Sequence, residues 1–141
     1  MIEQEVIKQD QGYIEVLYNY CYGGFNPSEK AKELYIEKML EIDKDFNNEH
    51  FDMYFVDRDD PILIEIFHQL GIEKFSGSYS KIKSLKIPKK FKDCFVIDEY
   101  DGKESVNIDY GKYKLDRIRD ILKNEEFSND EKIIKIRETA G

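Results

Sequence analysis

Apolar and polar positions alternate between Tyr13 and Tyr22, and this alternation predicts the first β-strand. Alternate residues of a strand point to opposite faces of a sheet, so residues of one parity share a face. One parity of this segment carries Ile14, Val16, Tyr18, Tyr20 and Tyr22. The run ends at Gly23 and Gly24, which predict a turn.

The segment after these glycines has the signals of a helix start. Asn26 can cap a helix, Pro27 suits the first helical position, and Glu29 is spaced to reach back to the cap. The apolar residues that follow recur at helical spacing: Ala31, Leu34, Tyr35, Met39 and Ile42. The sequence therefore predicts a helix that runs to about Asp43 and packs against the sheet.

A second helix is predicted after a long irregular segment. Between Asp43 and Asp60, only residues 53–56 have the composition of a short strand. Asp60 and Pro61 then mark a helix start, and Gly71 lies where a left-handed C-terminal cap is expected. This helix is short and strongly apolar.

The second half of the chain predicts a strand, a hairpin and two helices. The strand KIKSLKIP ends at Pro88, and Asp101–Gly102 predicts a two-residue turn in a hairpin over residues 94–108. A later helix is marked by Tyr113, Leu115, Ile118, Ile121 and Leu122. Ser128 and Glu131 form a capping box that opens the last helix.

Strands and helices without regular alternation indicate an α+β fold. We expect a small antiparallel or mixed sheet packed with about four helices in a single domain over residues 13–141. Residues 1–12 are expected to form a flexible N-terminal segment that frays or adds a short edge strand.

Composition narrows the class of protein and its partners. Of 141 residues, 40% are hydrophobic, including 10 Tyr and 9 Phe, which favours a folded chain. The net charge of -8 opposes binding to duplex nucleic acid and suits a basic protein partner or plain solubility.

No long apolar run or secretory segment is present, so we expect a cytoplasmic protein with no membrane partner. Cys21 and Cys94 fall in predicted strands and are interpreted as reduced core thiols.

Few residues have the pattern of a catalytic or metal site. His50 and His68 are the only histidines, and neither has a base or ligand partner at recognisable spacing. The acidic run at residues 57–60 lacks the glycine and distal glutamate of a calcium loop. The carboxylates near the hairpin turn suit turn geometry. We therefore assign no catalytic residue, metal or cofactor.

The sharpest candidate site is the glycine turn that leads into the first helix. Glycine lets a ligand approach backbone N–H groups, and a helix N-terminus favours an anion. The spacings of a phosphate loop and of a dinucleotide fingerprint are both absent. Nearby aromatic rings suit stacking, and hydroxyl and cationic side chains suit a phosphate. The candidate ligand-binding residues are Tyr22, Gly23, Gly24, Phe25, Ser28, Arg58, Ser78 and Lys81.

Several short strings resemble one family of proteins. They are YCYGGFNPSEKAKELY at residues 20–35, RDDP at 58–61, LG at 70–71, IP at 87–88 and EYDGKESV at 99–106. These strings look like those of a family of small proteins found in phages and large DNA viruses. The resemblance implies a viral or prophage setting, with the host cytoplasm as location, and it favours a binding role, such as counter-defence by sequestering a nucleotide signal or masking a host protein.

Three functions remain open at this point. The first is a non-enzymatic binding protein that sequesters a small anionic, nucleotide-like signal. The second is an acidic inhibitor that masks a host protein, and the third is an enzyme that acts on nucleotides. Assembly of identical chains is also left open.

Overall fold

Two antiparallel β-ribbons and four α-helices make up residues 12–141, the part of the chain that the computed structural model describes. The order is β1 (Tyr13–Asn19), α1 (Glu29–Ile42), α2 (Pro61–Phe75), β2 (Ile82–Pro88), β3 (Phe95–Tyr100), β4 (Lys103–Ile108), α3 (Tyr110–Lys123) and α4 (Asn129–Ala140). Short 3-10 helices occupy Met53–Phe55 and Lys89–Phe91. The predicted α+β fold with about four helices in one domain is confirmed. Apart from Gly12, the predicted flexible N-terminal segment lies outside the described residues.

Each ribbon pairs two strands, and within residues 12–141 the two ribbons form separate sheets. In the first, Val16 of β1 lies opposite Leu85 of β2, and the chain between these two residues includes both α1 and α2. 

The first ribbon closes a long chain segment, because residues 17–84 lie between the paired residues Val16 and Leu85. In the second ribbon, β3 and β4 form the predicted hairpin, with Ile97 opposite Val106. Its turn residues, Asp101 and Gly102, have φ angles of 53° and 89°, as the two-residue turn requires. Both ribbons are antiparallel.

Strand β1 is buried on both faces, and this position explains how the fold divides into two cores. Leu17 faces a core built mainly by α1 and α2, together with Phe25, Ala31, Tyr35, Met53, Val56, Leu63, Ile66, Phe67, Phe75 and Ile82. Val16 faces a second core with Ile87, Phe91 and Cys94, which the β3–β4 hairpin and α3 complete. The alternation predicted for β1 therefore separates two cores, rather than core from solvent.

Several predicted boundaries were wrong. Strand β1 ends at Asn19 instead of residue 22, so Cys21 lies outside it and is only half-buried. Cys94 is buried as predicted, but it precedes β3 and does not lie in a strand. Residues 53–55 form a 3-10 helix in place of a short strand. The cap of α1 is Ser28, not Asn26, because the Ser28 hydroxyl accepts a hydrogen bond from the backbone N–H of Ala31 at 3.2 Å.

Helix α2 starts as predicted and ends later than predicted. The Asp60 carboxylate accepts hydrogen bonds from the backbone N–H groups of Ile62 and Leu63, at 2.8 and 3.1 Å. Gly71 has a φ angle of 80° and interrupts the helical geometry, but a further helical turn continues to Phe75. Helices α1 and α2 pack side by side and cover one face of the first ribbon.

A tyrosine joins the two helices and gives a prediction for alkaline pH. The Tyr35 hydroxyl donates a hydrogen bond to Asp60 at 3.2 Å. Burial raises the pKa of Tyr35 to about 12, and the nearby Asp60 carboxylate acts in the same direction. Because this folded-state pKa exceeds the unfolded value of about 10, the neutral phenol favours folding, fully below pH 10 and less as the pH rises to about 12.

We expect the free energy of unfolding to fall across this pH range more steeply in the natural chain than in Tyr35→Phe. Urea unfolding at a series of pH values measures both slopes. Since the variant has no titrating group at residue 35, equal slopes would contradict the assignment. Tyr13→Phe is the control, because Tyr13 is exposed and should leave the slope unchanged.

Candidate functional site

Four chain segments meet at the end of β1, around the fully buried side chain of Asn19. Its amide nitrogen donates hydrogen bonds to the carbonyl oxygens of Cys21 and Gly102, at 2.6 and 2.9 Å. Its amide oxygen accepts from the backbone N–H of Lys81 at 2.9 Å and from the Ser80 hydroxyl at 3.2 Å. One side chain therefore connects the glycine turn, the hairpin turn and the loop of residues 76–80, which we call the serine-rich loop.

A buried ion pair adds the segment before α2 to this meeting point. The Arg58 guanidinium makes two hydrogen bonds to the Glu104 carboxylate, at 2.6 and 3.0 Å, and the two side chains are only 9% and 3% exposed. The same carboxylate accepts a hydrogen bond from the backbone N–H of Asn19 at 2.8 Å. Paired N–H donors fix the orientation of both groups. We call Asn19, Arg58 and Glu104 together the buried junction.

The glycines of the turn allow chain segments to pack closely. A Cβ atom on Gly23 would lie 1.7 Å from the carbonyl oxygen of Tyr79, and one on Gly102 would lie 2.3 Å from that of Tyr22. Gly24 has a φ angle of 88°, with no neighbouring heavy atom within 4 Å of such a Cβ. In the structure, backbone of the serine-rich loop occupies the space beside Gly23.

The structure brings together the three segments that carry the predicted ligand-binding residues. Phe25 is buried, and the Arg58 guanidinium carbon lies 3.5 Å from the centre of its ring. The Ser28 hydroxyl donates to the carbonyl oxygen of Lys74 at 2.6 Å while it caps α1. Tyr22, Ser78 and Lys81 are exposed. The predicted set therefore separates into a buried group and an exposed group.

Two of the predicted serines line an open cleft. Ser28 and Ser78 border a cavity of about 380 Å³ with Asn26, Pro27, Glu29, Ser76 and Gly77. The Glu29 carboxylate lies in the first turn of α1, where it already complements the positive end of the helix. Arg58 does not line this cavity, because its guanidinium is paired with Glu104.

Exposed tyrosines and half-buried lysines lie beside the buried junction. The Lys83 ammonium is 4.0 Å from the centre of the Tyr20 ring, and the Lys103 ammonium is 4.5 Å from that ring and 5.6 Å from the ring of Tyr22. Tyr100 lies opposite Lys103 in the hairpin. The side chains of Tyr22 and Tyr100 are 62% and 79% exposed. We call Tyr20, Tyr22, Tyr100, Lys83 and Lys103 the tyrosine–lysine cluster.

Tyr20 and Tyr22 were both predicted to suit base stacking, but Tyr22 is the one member of this cluster in the predicted ligand-binding set. Lys83 and Lys103 come from β2 and β4, and neither strand has a motif that marks a cation as functional. The only available signal was the pairing of tyrosine and lysine at strand positions, which also fits ordinary solvent-exposed residues. The cluster becomes visible only when the two ribbons are placed side by side.

Each histidine lies beside one carboxylate in the described part of the chain. The His68 ring nitrogen lies 2.7 Å from the Glu15 carboxylate, and His50 lies 3.9 Å from Glu49 on the surface. Within residues 12–141, no three histidine, cysteine or carboxylate side chains are grouped to hold a metal ion.

None of the described helices is long and apolar enough to cross a membrane.

Comparisons of this chain with protein-family models, with curated proteins and with solved structures found no match.

Proposed function

We propose that this chain is a non-enzymatic binding protein that holds a small anionic, nucleotide-like ligand on the tyrosine–lysine cluster. The observation that carries the proposal is the position of Lys103, whose ammonium lies near two exposed tyrosine rings at once. A nucleotide combines a flat aromatic base with a phosphate. The cluster offers a complementary group to each part.

The aromatic part of the cluster suits a base. An aromatic side chain contributes about 1–3 kcal/mol per stacked base, whatever the base identity. Tyr22 and Tyr100 have the largest exposed fractions in the cluster, so a base can reach their rings without displacing other side chains. A tyrosine also has only two side-chain torsions to fix on binding, which limits the loss of conformational entropy.

The cationic part suits a phosphate. Neither Lys83 nor Lys103 forms an ion pair with a carboxylate in residues 12–141. Each ammonium is a strong donor with three N–H groups. At physiological salt the chain's net charge of -8 is screened beyond about 8 Å, so nearby lysines dominate the local field. Lys81, the cationic residue nearest in sequence, extends this surface.

The buried junction supports the cluster and keeps it in one shape. Asn19 directly precedes Tyr20, and Glu104 directly follows Lys103. Hydrogen bonds of the Asn19 backbone and side chain, to Glu104 and Gly102, fix the chain at both places. A preorganised surface loses less entropy on binding than a mobile one. In this account Arg58 and Phe25 act beneath the ligand, while Tyr22 and Lys81 contact it.

In a phage or viral genome, such a protein would sequester a nucleotide signal of the host defence. The test is a panel of linear and cyclic nucleotides, added to the full chain in a thermal-shift assay and followed by calorimetric titration. A ligand at 100 times its dissociation constant stabilises the folded state by about 2.7 kcal/mol. Chromatography of the ligand afterwards distinguishes sequestration from turnover.

Two variants locate the site. Lys103→Ala and Tyr22→Leu are each expected to weaken binding about tenfold, which corresponds to roughly 1.4 kcal/mol. Lys30→Ala and Tyr13→Leu are the matched controls, because both residues are exposed and lie on other elements. Undiminished affinity in both cluster variants would overturn the location, and a converted ligand would overturn the non-enzymatic assignment.

A further inference from the structure

The outer edge of β2 has backbone groups without a strand partner in the described part of the chain. Strand β1 is the only described strand that pairs with β2. The carbonyl oxygen of Lys81 accepts from Tyr20, toward β1, whereas the N–H of Ile82 points the other way and donates to the Ser76 hydroxyl. Antiparallel pairing repeats this alternation every two residues, so Ser84 and Lys86 also direct their N–H and C=O groups outward.

Strand β2 also lies within the most basic stretch of the chain, and it carries two of the lysines of that stretch, Lys83 and Lys86. Residues 81–92 contain no aspartate or glutamate and carry Lys81, Lys83, Lys86, Lys89, Lys90 and Lys92. None of these lysines forms an ion pair within residues 12–141. In a chain of net charge -8, such a stretch stands out as a local positive surface.

Charge and hydrogen bonding together select one kind of occupant. A second copy paired through the same edge would place lysines against lysines, which disfavours self-association. A helix cannot use the outward backbone groups, because its own N–H and C=O groups are already paired. An extended strand can use them, and acidic side chains on that strand would face the lysines.

We propose that the outer edge of β2 binds an extended acidic segment of a partner protein by strand addition. Backbone hydrogen bonds to Ser84 and Lys86 hold the segment, and its Glu or Asp side chains at alternate positions lie on the face of Lys86 and pair with that lysine. Leu85 is 40% exposed and offers an apolar contact on one face of the edge. This inference does not depend on the nucleotide-like ligand proposed above.

The test uses an end-blocked peptide of alternating glutamate and valine, titrated into the full chain and followed by fluorescence anisotropy. Two control peptides are needed: one with lysine in place of glutamate, and one with proline in place of valine, which keeps the charge and removes backbone donors. We expect only the glutamate–valine peptide to bind. Amide hydrogen exchange should slow at Ser84 and Lys86 when it does.

Ser84→Pro is the decisive variant. The outward N–H of Ser84 makes no hydrogen bond within the described chain, and proline is tolerated on edge strands. We expect it to keep the melting temperature and to weaken peptide binding about tenfold. Lys86→Glu provides a second variant should Ser84→Pro unfold, with Lys30→Glu as its control. Lys83 is left unchanged because it belongs to the tyrosine–lysine cluster, so nucleotide binding should survive both variants.

Two results would overturn the inference. Equal binding of the proline-containing and the valine-containing acidic peptides, with Ser84→Pro unaffected, would show charge attraction without strand addition. Absence of binding by every peptide would mean that the edge lysines only prevent self-association.

Discussion

Replacing Arg58 with alanine is expected to lower the free energy of unfolding by about 3–5 kcal/mol. The substitution leaves the Glu104 carboxylate buried without its cationic partner, and the desolvation of an unpaired charge is costly. It also removes the guanidinium that packs against Phe25. An arginine that served only a ligand would be replaced with little loss of stability.

Urea denaturation measures the effect, and two further variants identify its cause. Glu104→Gln keeps an acceptor for the backbone N–H of Asn19 but loses the charge. The double variant Arg58→Met with Glu104→Leu removes both charges, and we expect it to be more stable than Arg58→Ala, since an apolar pair has no charge to desolvate. A loss below about 1 kcal/mol in Arg58→Ala would contradict a structural role for the pair.

Local signals were enough to predict most elements of the fold. The Asp101–Gly102 turn specifies its hairpin because few residue pairs accept two positive φ angles. The start of α2 follows from Asp60 and Pro61, and the start of α4 from the capping box at Ser128. Each of these signals lies within about four residues of the boundary that it determines.

Errors arose where two local signals compete. The segment Asn26-Pro27-Ser28-Glu29 holds two residues able to cap α1. An isolated β-bridge between Pro27 and Ser76 keeps the chain extended beyond Asn26, so the helix starts later and Ser28 caps it. This choice depends on a contact about 50 residues away along the chain, so the sequence near the helix cannot reveal it.

The buried junction was harder to predict than the elements, because its members are distant in sequence. Arg58 and Glu104 each lie among other charged residues, and such side chains are ordinarily exposed to solvent. Asn19 shares its side of β1 with Leu17 but also with Glu15, so in the sequence this side resembles a solvent-facing one. A polar residue at a buried strand position requires internal hydrogen bonds, although the partners cannot be identified from the sequence.

Replacing Asn19 with alanine is expected to cost about 3–5 kcal/mol of folding free energy. The change leaves the N–H of Lys81 and the carbonyl oxygens of Cys21 and Gly102 without their partner. Each unsatisfied buried group costs about 1–3 kcal/mol, and water entry recovers part of the sum. Since three loops depend on this one side chain, the loss should extend to the tyrosine–lysine cluster.

Urea denaturation and amide hydrogen exchange measure the two consequences separately. We expect faster exchange at Lys81 in Asn19→Ala, together with weaker nucleotide binding even under conditions where the variant is folded. Asn107→Ala is the matched control, because Asn107 is also a strand asparagine but is exposed, and surface substitutions usually change stability by less than about 0.5 kcal/mol. Similar losses in the two variants would mean that Asn19 has no special part in holding the loops together.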